Sequence, residues 1–297
     1  MKTALVLGGT MFFGKRLVQL LLSHEVEVTI ATRGQAADPF GDGVKRIELD
    51  RAKKETIQQG LQGKKWDVVY DQTAYSPLEV KDVLDVVKRS IKQYVFTSTM
   101  AVYEFGLQHV EENFDPATFQ YDLKDRTQYP GLAGYQEAKR ACEAYLLENS
   151  PVPVSIVRFP LVVGPDDYTN RLKVIVDRAQ NGQQIGIHNL DYGLGFISSE
   201  KASQFLFWLG ENDKVGVWNA ALDGQWTHRQ LVSEIEKATG KKADVIESDE
   251  WPIGIATPYS MRGSWSICAF KAKQSGFNFG KVEEILIPLI ESYASKN

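Results

Sequence analysis

The strongest constraint on this chain is how its first 165 residues alternate short β-branched apolar runs with stretches of helical periodicity. TALVLG (3–8), VEVTIA (26–31), VKRIELD (44–50), WDVVYDQT (66–73), QYVFTST (93–99) and PVSIVRFP (153–160) read as strands. KRLVQLLLS (15–23) puts Leu17, Leu20 and Leu21 on one helical face, and KKETIQQGLQG (53–63), PLEVKDVLDVVKR (77–89) and YQEAKRACEAYLLEN (135–149) read as further helices. Strands alternating with helices predict βαβ units and a parallel sheet covered on both faces. Right-handed crossovers then give an α/β, doubly wound sheet with its ligand crevice at the carboxyl ends of the strands.

Beyond residue 165 the pattern loosens. RLKVIVDRAQNG (171–182) reads as a helix ended by Gly182, and ASQFLFWLGEN and VGVWNAA as a helix and a strand. THRQLVSEIEKATG (227–240) opens on a capping box of Thr227 and Gln230 and closes on Gly240. The chain ends on an amphipathic helix, KVEEILIPLIESYAS. The expected organisation is a Rossmann-like dinucleotide-binding body over 1–165, to which 190–235 returns, and a smaller lobe (166–189 and 236–297) that lids the strand ends.

Composition removes several function classes. The net charge is −4, from 34 basic and 38 acidic residues, and an acidic chain is a poor non-specific partner for nucleic acid. Two cysteines, Cys142 and Cys268, cannot build a disulfide framework or a zinc cluster. His24, His109, His188 and His228 lack metal-ligand spacing, and Asp166–Asp167 reads as a solvated turn, so no metal is expected. The N-terminal apolar run is too short for a signal peptide, and no run approaches the ~20 residues of a membrane span. The expectation is a cytoplasmic protein.

Two motifs carry chemistry. GGTMFFG (8–14) lies between the first strand and the first helix. Gly8 permits the tight turn, Gly14 lets the helix approach the sheet, and the N–H groups near Phe12 and Phe13 favour an anion. Met11 stands where such loops carry their middle glycine. Tyr135 and Lys139 then share a helix face at i, i+4. An ammonium beside a phenol favours the phenolate, the form that accepts a hydroxyl proton. Ser98 and Thr99 end the preceding strand with hydroxyls at the crevice.

LVLGGTMFFG, YVFTSTMAVYE, GYQEAKRACEAYL, SIVRFPLVVGP, GFISSEKAS and VWNAALDGQWTHRQL together resemble the extended short-chain dehydrogenase/reductases, the NAD-dependent epimerase/dehydratase family. The GGTxFxG turn, and TRG after the second strand, are similar to a subgroup that includes chloroplast stem-loop RNA-binding proteins and isoflavone-reductase-like bacterial relatives. The resemblance implies that Thr99 polarises a substrate oxygen, Tyr135 acts as acid/base and Lys139 holds the nicotinamide ribose. It implies a cofactor site of Gly8, Thr10, Met11, Phe12, Phe13, Gly14, Arg33, Asp50 (at the adenine), Arg51 and Gln72, with Ser98, Leu161, Leu194 and Arg262 near substrate. It also implies a homodimer through helices equivalent to 77–89 and 135–149.

The departures from that family narrow the expectation. Thr32-Arg33 replaces the acid that grips ribose hydroxyls in NAD-preferring members, which favours NADP(H) over NAD(H). Ser98-Thr99-Met100-Ala101-Val102-Tyr103 lacks the acid and base of the dehydratases. Leu161 and Leu194 replace an Asn and an Arg that meet substrate phosphate, which argues against the usual nucleotide-sugar site. Asp71 reads as a polar group on the crevice floor or, preferably, as an acid capping its loop; Trp251 and Trp265 wall a pocket or pack the lobe; Cys142 reads as buried and inert. The expected activity is hydride transfer at a carbinol or keto carbon of a small molecule. The competing reading is a cofactor-binding, non-catalytic or RNA-associated protein on the same fold.

Overall fold

The computed structural model describes residues 1–252 and 254–295; residues 253, 296 and 297 of the expected lobe lie outside the described residues. The chain forms two compact units. The first comprises Met1–Tyr103, Glu111–Phe159 and Glu200–Asn219; the second comprises Glu104–Val110, Pro160–Ser199 and the chain from Ala220 onward. The stretch that returns to the first unit is thus Glu200–Asn219, while 190–199 and 220–235 belong to the second.

Seven strands build the sheet of the first unit: β1 (Thr3–Leu7), β2 (Glu27–Thr32), β3 (Val44–Glu48), β4 (Val68–Asp71), β5 (Gln93–Thr99), β6 (Val154–Phe159) and β7 (Gly216–Asn219). Their order is β7-β6-β5-β4-β1-β2-β3 and every neighbouring pair is parallel. The helices are α1 (Phe12–Ser23), α2 (Lys54–Leu61), α3 (Pro77–Val87), α4 (Gly131–Asn149) and α5 (Ser199–Glu211). This is the doubly wound, Rossmann-like arrangement that the alternating pattern predicts, with its strand order reversing between β1 and β4. The central strands are buried almost throughout, as a sheet covered on both faces demands. On one face Leu5, Leu7, Val69, Tyr94, Phe96 and Ile156 join Val80, Val83, Leu84 and Val87 of α3 and Cys142 and Leu146 of α4 in one apolar core.

In the second unit, Trp226–Thr227, Gly193–Leu194, Trp265–Ile267 and Gly106–His109 form a four-stranded mixed sheet. Two parallel pairs, Leu161–Val163 with Phe196–Ser198 and Gln184–Ile187 with Asp244–Glu247, accompany helices at Arg171–Gln180, His228–Thr239 and Val282–Ala294. The Thr227/Gln230 capping box forms as the sequence predicts, with Gln230 N–H on Thr227 Oγ1 at 3.2 Å and Thr227 N–H on Gln230 Oε1 at 2.8 Å.

A buried ionic cluster fixes the carboxyl ends of the strands. Arg158 of β6 and Glu143 of α4 have fully buried side chains. Arg158 Nη2 donates to Glu143 Oε2 (2.6 Å) and to the Phe114 carbonyl (3.0 Å), Nη1 to Tyr103 Oη (2.6 Å) and the Glu111 carbonyl (2.9 Å), and Nε to Glu143 Oε1 (3.1 Å). All five guanidinium donors are therefore used, which is what allows the charge to be buried. Tyr103 Oη passes its own proton to Asn219 Oδ1 (2.8 Å) at the end of β7. Burial pushes the Tyr103 phenol up to about 12, against the lowering effect of Arg158.

Removing one member strands the other's charge in the interior. Arg158→Met should lower the unfolding free energy by about 3–5 kcal/mol, and adding Glu143→Leu should recover part of that loss. Urea unfolding of the two variants measures this; a single-variant loss below about 1 kcal/mol would contradict the role given to the pair.

Candidate active site

The chain leaves β1 through Gly8 (φ +104), whose N–H donates to the Ala31 carbonyl of β2 at 2.9 Å. A left-handed backbone there suits glycine. The helix that follows starts at Phe12 rather than at the expected residue 15, with Phe12 itself at φ +49. Met11 is the extended N-cap residue, 45% exposed; it offers no capping side chain, and the first turn carries no acidic residue. The positive end of this 12-residue helix is thus not neutralised by the chain's own side chains. Phe12 is buried, and Phe13 packs edge-on against Phe159 at 5.6 Å between centroids.

Gln72, just past β4, reaches across this turn. A Cβ at Gly8 would lie 4.0 Å from Gln72 Cβ, and a Cβ at Gly14 would run into the Gln72 carboxamide oxygen and sit 3.3 Å from Gly9 Cα. Gly14 therefore makes room for Gln72 as well as for close helix packing. The Gln72 Nε2 is buried with no hydrogen-bond partner, which is a costly state for an amide donor.

The Tyr135/Lys139 pair lies on α4, which begins at Gly131, so Tyr135 sits one turn inside the helix rather than at its opening. Pro130 precedes the helix as its N-cap residue, and Gly134 packs directly on the Tyr129 backbone. Lys139 is buried: its Nζ donates to the carbonyls of Ala74 (2.7 Å) and Thr97 (3.0 Å) and stands 4.6 Å from the Phe96 ring centroid. One of its three N–H donors has no partner among the described residues. Tyr135 is half-buried with its ring 5.4 Å from that of Tyr75. Thr99 Oγ1 accepts the Ala101 N–H (3.1 Å), capping the turn Met100–Val102, which leaves its hydroxyl proton to donate. Gln136 and Arg140, also i, i+4, hold that turn to α4 through the carbonyls of Tyr103 (3.3 Å) and Val102 (2.7 Å).

Ser98 corrects the expectation that both strand-end hydroxyls face the crevice. Successive strand residues point to opposite faces, and Ser98 turns inward, buried, to donate to the Glu143 carboxylate. Glu143, four residues beyond Lys139 and eight beyond Tyr135, belongs to the same helical stripe, and that spacing was the sequence signal for it.

Arg51 is likewise committed within the protein. Its guanidinium pairs with Asp71 and donates to Thr73 Oγ1 (2.9 Å) and the Glu79 carbonyl (3.2 Å). Asp71 does cap its loop, accepting from the N–H groups of Thr73 (3.2 Å) and Ala74 (3.1 Å); it is fully buried, and Tyr94 donates to it as well. Burial alone would raise the Asp71 carboxyl; the Arg51 charge, with hydrogen bonds from Arg51, Tyr94 and Thr73, holds it below the ordinary carboxylate range. Burial, followed by the Asp71 charge, pushes the Tyr94 phenol far above its ordinary value.

The other cofactor-side residues lie at the strand ends. Thr10 is half-buried, Arg33 is exposed with no ion pair among the described residues, and Asp50 caps the Ala52 N–H at 3.1 Å. Leu161, Leu194 and Arg262 belong to the second unit. Leu161 and Leu194 are buried in its strands, whereas Arg262 is exposed. Trp251 packs against His188 with ring centroids 4.3 Å apart and tilted by 51°, and donates to the Ile246 carbonyl (3.3 Å), and Trp265 is buried against Phe105, so both tryptophans pack the second unit. Cys142 is buried, and burial raises its thiol. Among the described residues no cluster of His, Cys, Asp and Glu is arranged to hold a metal ion, and no helix is long and apolar enough to cross a membrane.

Comparisons with known proteins agree with this fold. The chloroplast stem-loop binding protein of 41 kDa b of Arabidopsis thaliana is 26% identical over 259 residues, 80% of this chain. The match spans 64% of that relative's length, just under two thirds. The Thermus thermophilus UDP-glucose 4-epimerase, solved in complex with NAD, superposes with a TM-score of 0.74 over 99% of this chain and 100% of its own, at 15% identity. The Bacillus cereus UDP-N-acetylglucosamine 4-epimerase does so with 0.68 over 99% and 96%, at 17% identity. At such identities the structures establish a shared fold. The family model described as "NAD dependent epimerase/dehydratase family" matches residues 4–219, the stretch that holds the glycine turn, Thr99, Tyr135 and Lys139, and the chain belongs to that family.

Proposed function

We propose that this protein is a nicotinamide-dinucleotide-dependent oxidoreductase or epimerase, acting at a carbinol or keto carbon with Tyr135 as acid/base and with NADP(H) preferred. The single observation that carries the reading is the buried Lys139. Its Nζ is held by two main-chain carbonyls, one turn from Tyr135, with one donor left over.

The residues present fit a dinucleotide. The end of α1 lacks a side-chain cap and an acid, and Gln72 Nε2, buried beside it, lacks a partner. A pyrophosphate would satisfy both needs. Arg33, exposed and without an ion pair among the described residues, follows Thr32, which stands where NAD-preferring members carry an acid, and suits a 2′-phosphate. Arg51, closed on Asp71, is not available for that task. When bound, the dinucleotide supplies the acceptor and donor of hydride at its nicotinamide ring.

The chain's own groups handle the proton. Thr99 donates its hydroxyl hydrogen to the substrate oxygen, and Tyr135 Oη takes the substrate hydroxyl proton during oxidation and returns it on reduction. Lys139 would give its remaining N–H to a ribose hydroxyl of the bound dinucleotide. Met100 and Ala101 cannot transfer protons, which disfavours dehydration. The epimerases of the same fold are named for UDP-sugars. Here Leu161 and Leu194 offer no group for a pyrophosphate, which favours a substrate without a nucleotide diphosphate.

One observation favours a second reading: the Arabidopsis relative is named for stem-loop binding. RNA retention that falls steeply with salt would support it, and no retention at low salt would end it.

A screen of alcohols and ketones that follows nicotinamide absorbance tests the activity. Tyr135→Phe should lower turnover by about a hundredfold or more; turnover untouched by the loss of the phenol would refute the assignment. Fluorescence titration should give tighter binding of NADPH than of NADH. Arg33→Ala should remove about tenfold of the NADPH affinity and leave NADH alone, whereas tighter NADH binding by the unaltered protein would overturn the preference. In the same titration Gln72→Leu should weaken both cofactors by about tenfold, and unchanged affinity would show that its amide makes no contact.

A further inference from the structure

Tyr75 has no part in the chemistry above, yet the loop that carries it is held with unusual thoroughness. Thr73 and Ala74 give their N–H groups to Asp71, the Ala74 carbonyl is held by Lys139, and the Glu79 carbonyl by Arg51. The Tyr75 N–H donates to Glu79 Oε2 at 2.7 Å. Glu79, with only 5% of its side chain exposed, is gripped by Arg126 through Nε and through Nη2 (2.9 Å). The Arg126 guanidinium also lies 5.6 Å from the Tyr75 ring centroid. Arg126 sits in a short turn, Arg126–Gln128, closed by a capping box of Asp125 and Gln128 and leading directly into α4.

One bidentate pair therefore ties the first turn of α3, and through the Tyr75 N–H the loop after β4, to the approach of the helix that bears Tyr135. Bidentate arginine–carboxylate contacts fix orientation as well as distance. The Tyr75 ring, fixed in this way, packs at 5.4 Å and 45° against the ring of Tyr135. No hydrogen bond to Tyr135 Oη is made by the described residues, so ring packing has to set the direction of that phenol. A tilted aromatic pair is a favourable way to do so, and small misplacements of a reacting group are expensive in rate.

We propose that Tyr75, clamped by the Glu79–Arg126 pair, is a positioning residue that fixes the orientation of the Tyr135 phenol. The proposal rests on the acid/base reading of Tyr135, but its test does not need a substrate. The full chain carries 3-fluorotyrosine at position 135 and is followed by fluorine NMR, with NADPH titration and thermal unfolding as controls. The unaltered protein and Tyr75→Phe should each give one narrow resonance. Arg126→Gln, which keeps the Tyr75 ring, should shift or broaden that resonance while NADPH binding and cooperative unfolding persist. In a Tyr75→Ala background the same Arg126→Gln change should have no further effect, because Arg126 acts through Tyr75. A resonance unmoved by Arg126→Gln overturns the proposal. So does an equal response with and without Tyr75, which would mean that Arg126 acts on Tyr135 directly. A Tyr135→Phe variant with undiminished turnover would instead sink the acid/base role and leave the positional result standing.

Discussion

The buried Arg158 guanidinium is the contact on which the site depends. It lies at the end of β6, takes Glu143 of α4 as its counter-ion, and spends its remaining donors on Tyr103 and on the carbonyls of Glu111 and Phe114. Tyr103 carries the connection on to Asn219 at the end of β7. Strand ends, the turn after β5 and the helix that bears Tyr135 and Lys139 are thus fixed by one charge. A buried pair of this kind adds little net stability over an apolar replacement, because desolvation offsets its attraction. What it adds is geometry: five directional donors allow one arrangement of the elements they join.

A second charged cluster does the same on the other side of Lys139. Asp71, Arg51 and Tyr94 hold the end of β4 and the loop after it, and that loop presents the Ala74 carbonyl to Lys139. The ammonium is placed by main-chain oxygens from two neighbouring strand ends, Ala74 after β4 and Thr97 within β5. Its position therefore follows from the sheet register and not from another flexible side chain.

Much of this was legible in the sequence. Periodicity gave the strands and the parallel character of their sheet, because a two-sided sheet needs continuous apolar runs and the helices between them need an i, i+3, i+4 face. The glycine turn and the Tyr135/Lys139 spacing are local, and local patterns survive folding. What stayed hidden depends on contacts far apart in the chain. Nothing near Asp71 announces that Arg51 and Tyr94 will converge on it, and Ser98 looked like a crevice hydroxyl until strand alternation turned it toward Glu143. Gln72 shows the same limit: its reach over Gly14 follows from the approach of β4 to α1, which no spacing reveals. Glu143 is the intermediate case, visible as the next member of the Tyr135/Lys139 stripe but without its partner Arg158.

The account's central claim is that the turn over Gly8–Gly14 is a working dinucleotide site. A ligand that binds only the folded state raises the unfolding midpoint by mass action, so thermal unfolding with and without saturating NADPH tests the claim directly, beside Gly14→Ala as a control. The account predicts a clear rise for the unaltered protein and a smaller one for Gly14→Ala, whose new Cβ meets the Gln72 carboxamide and crowds the Gly9 backbone. An unaltered protein whose midpoint does not move with NADPH or NADH would contradict it.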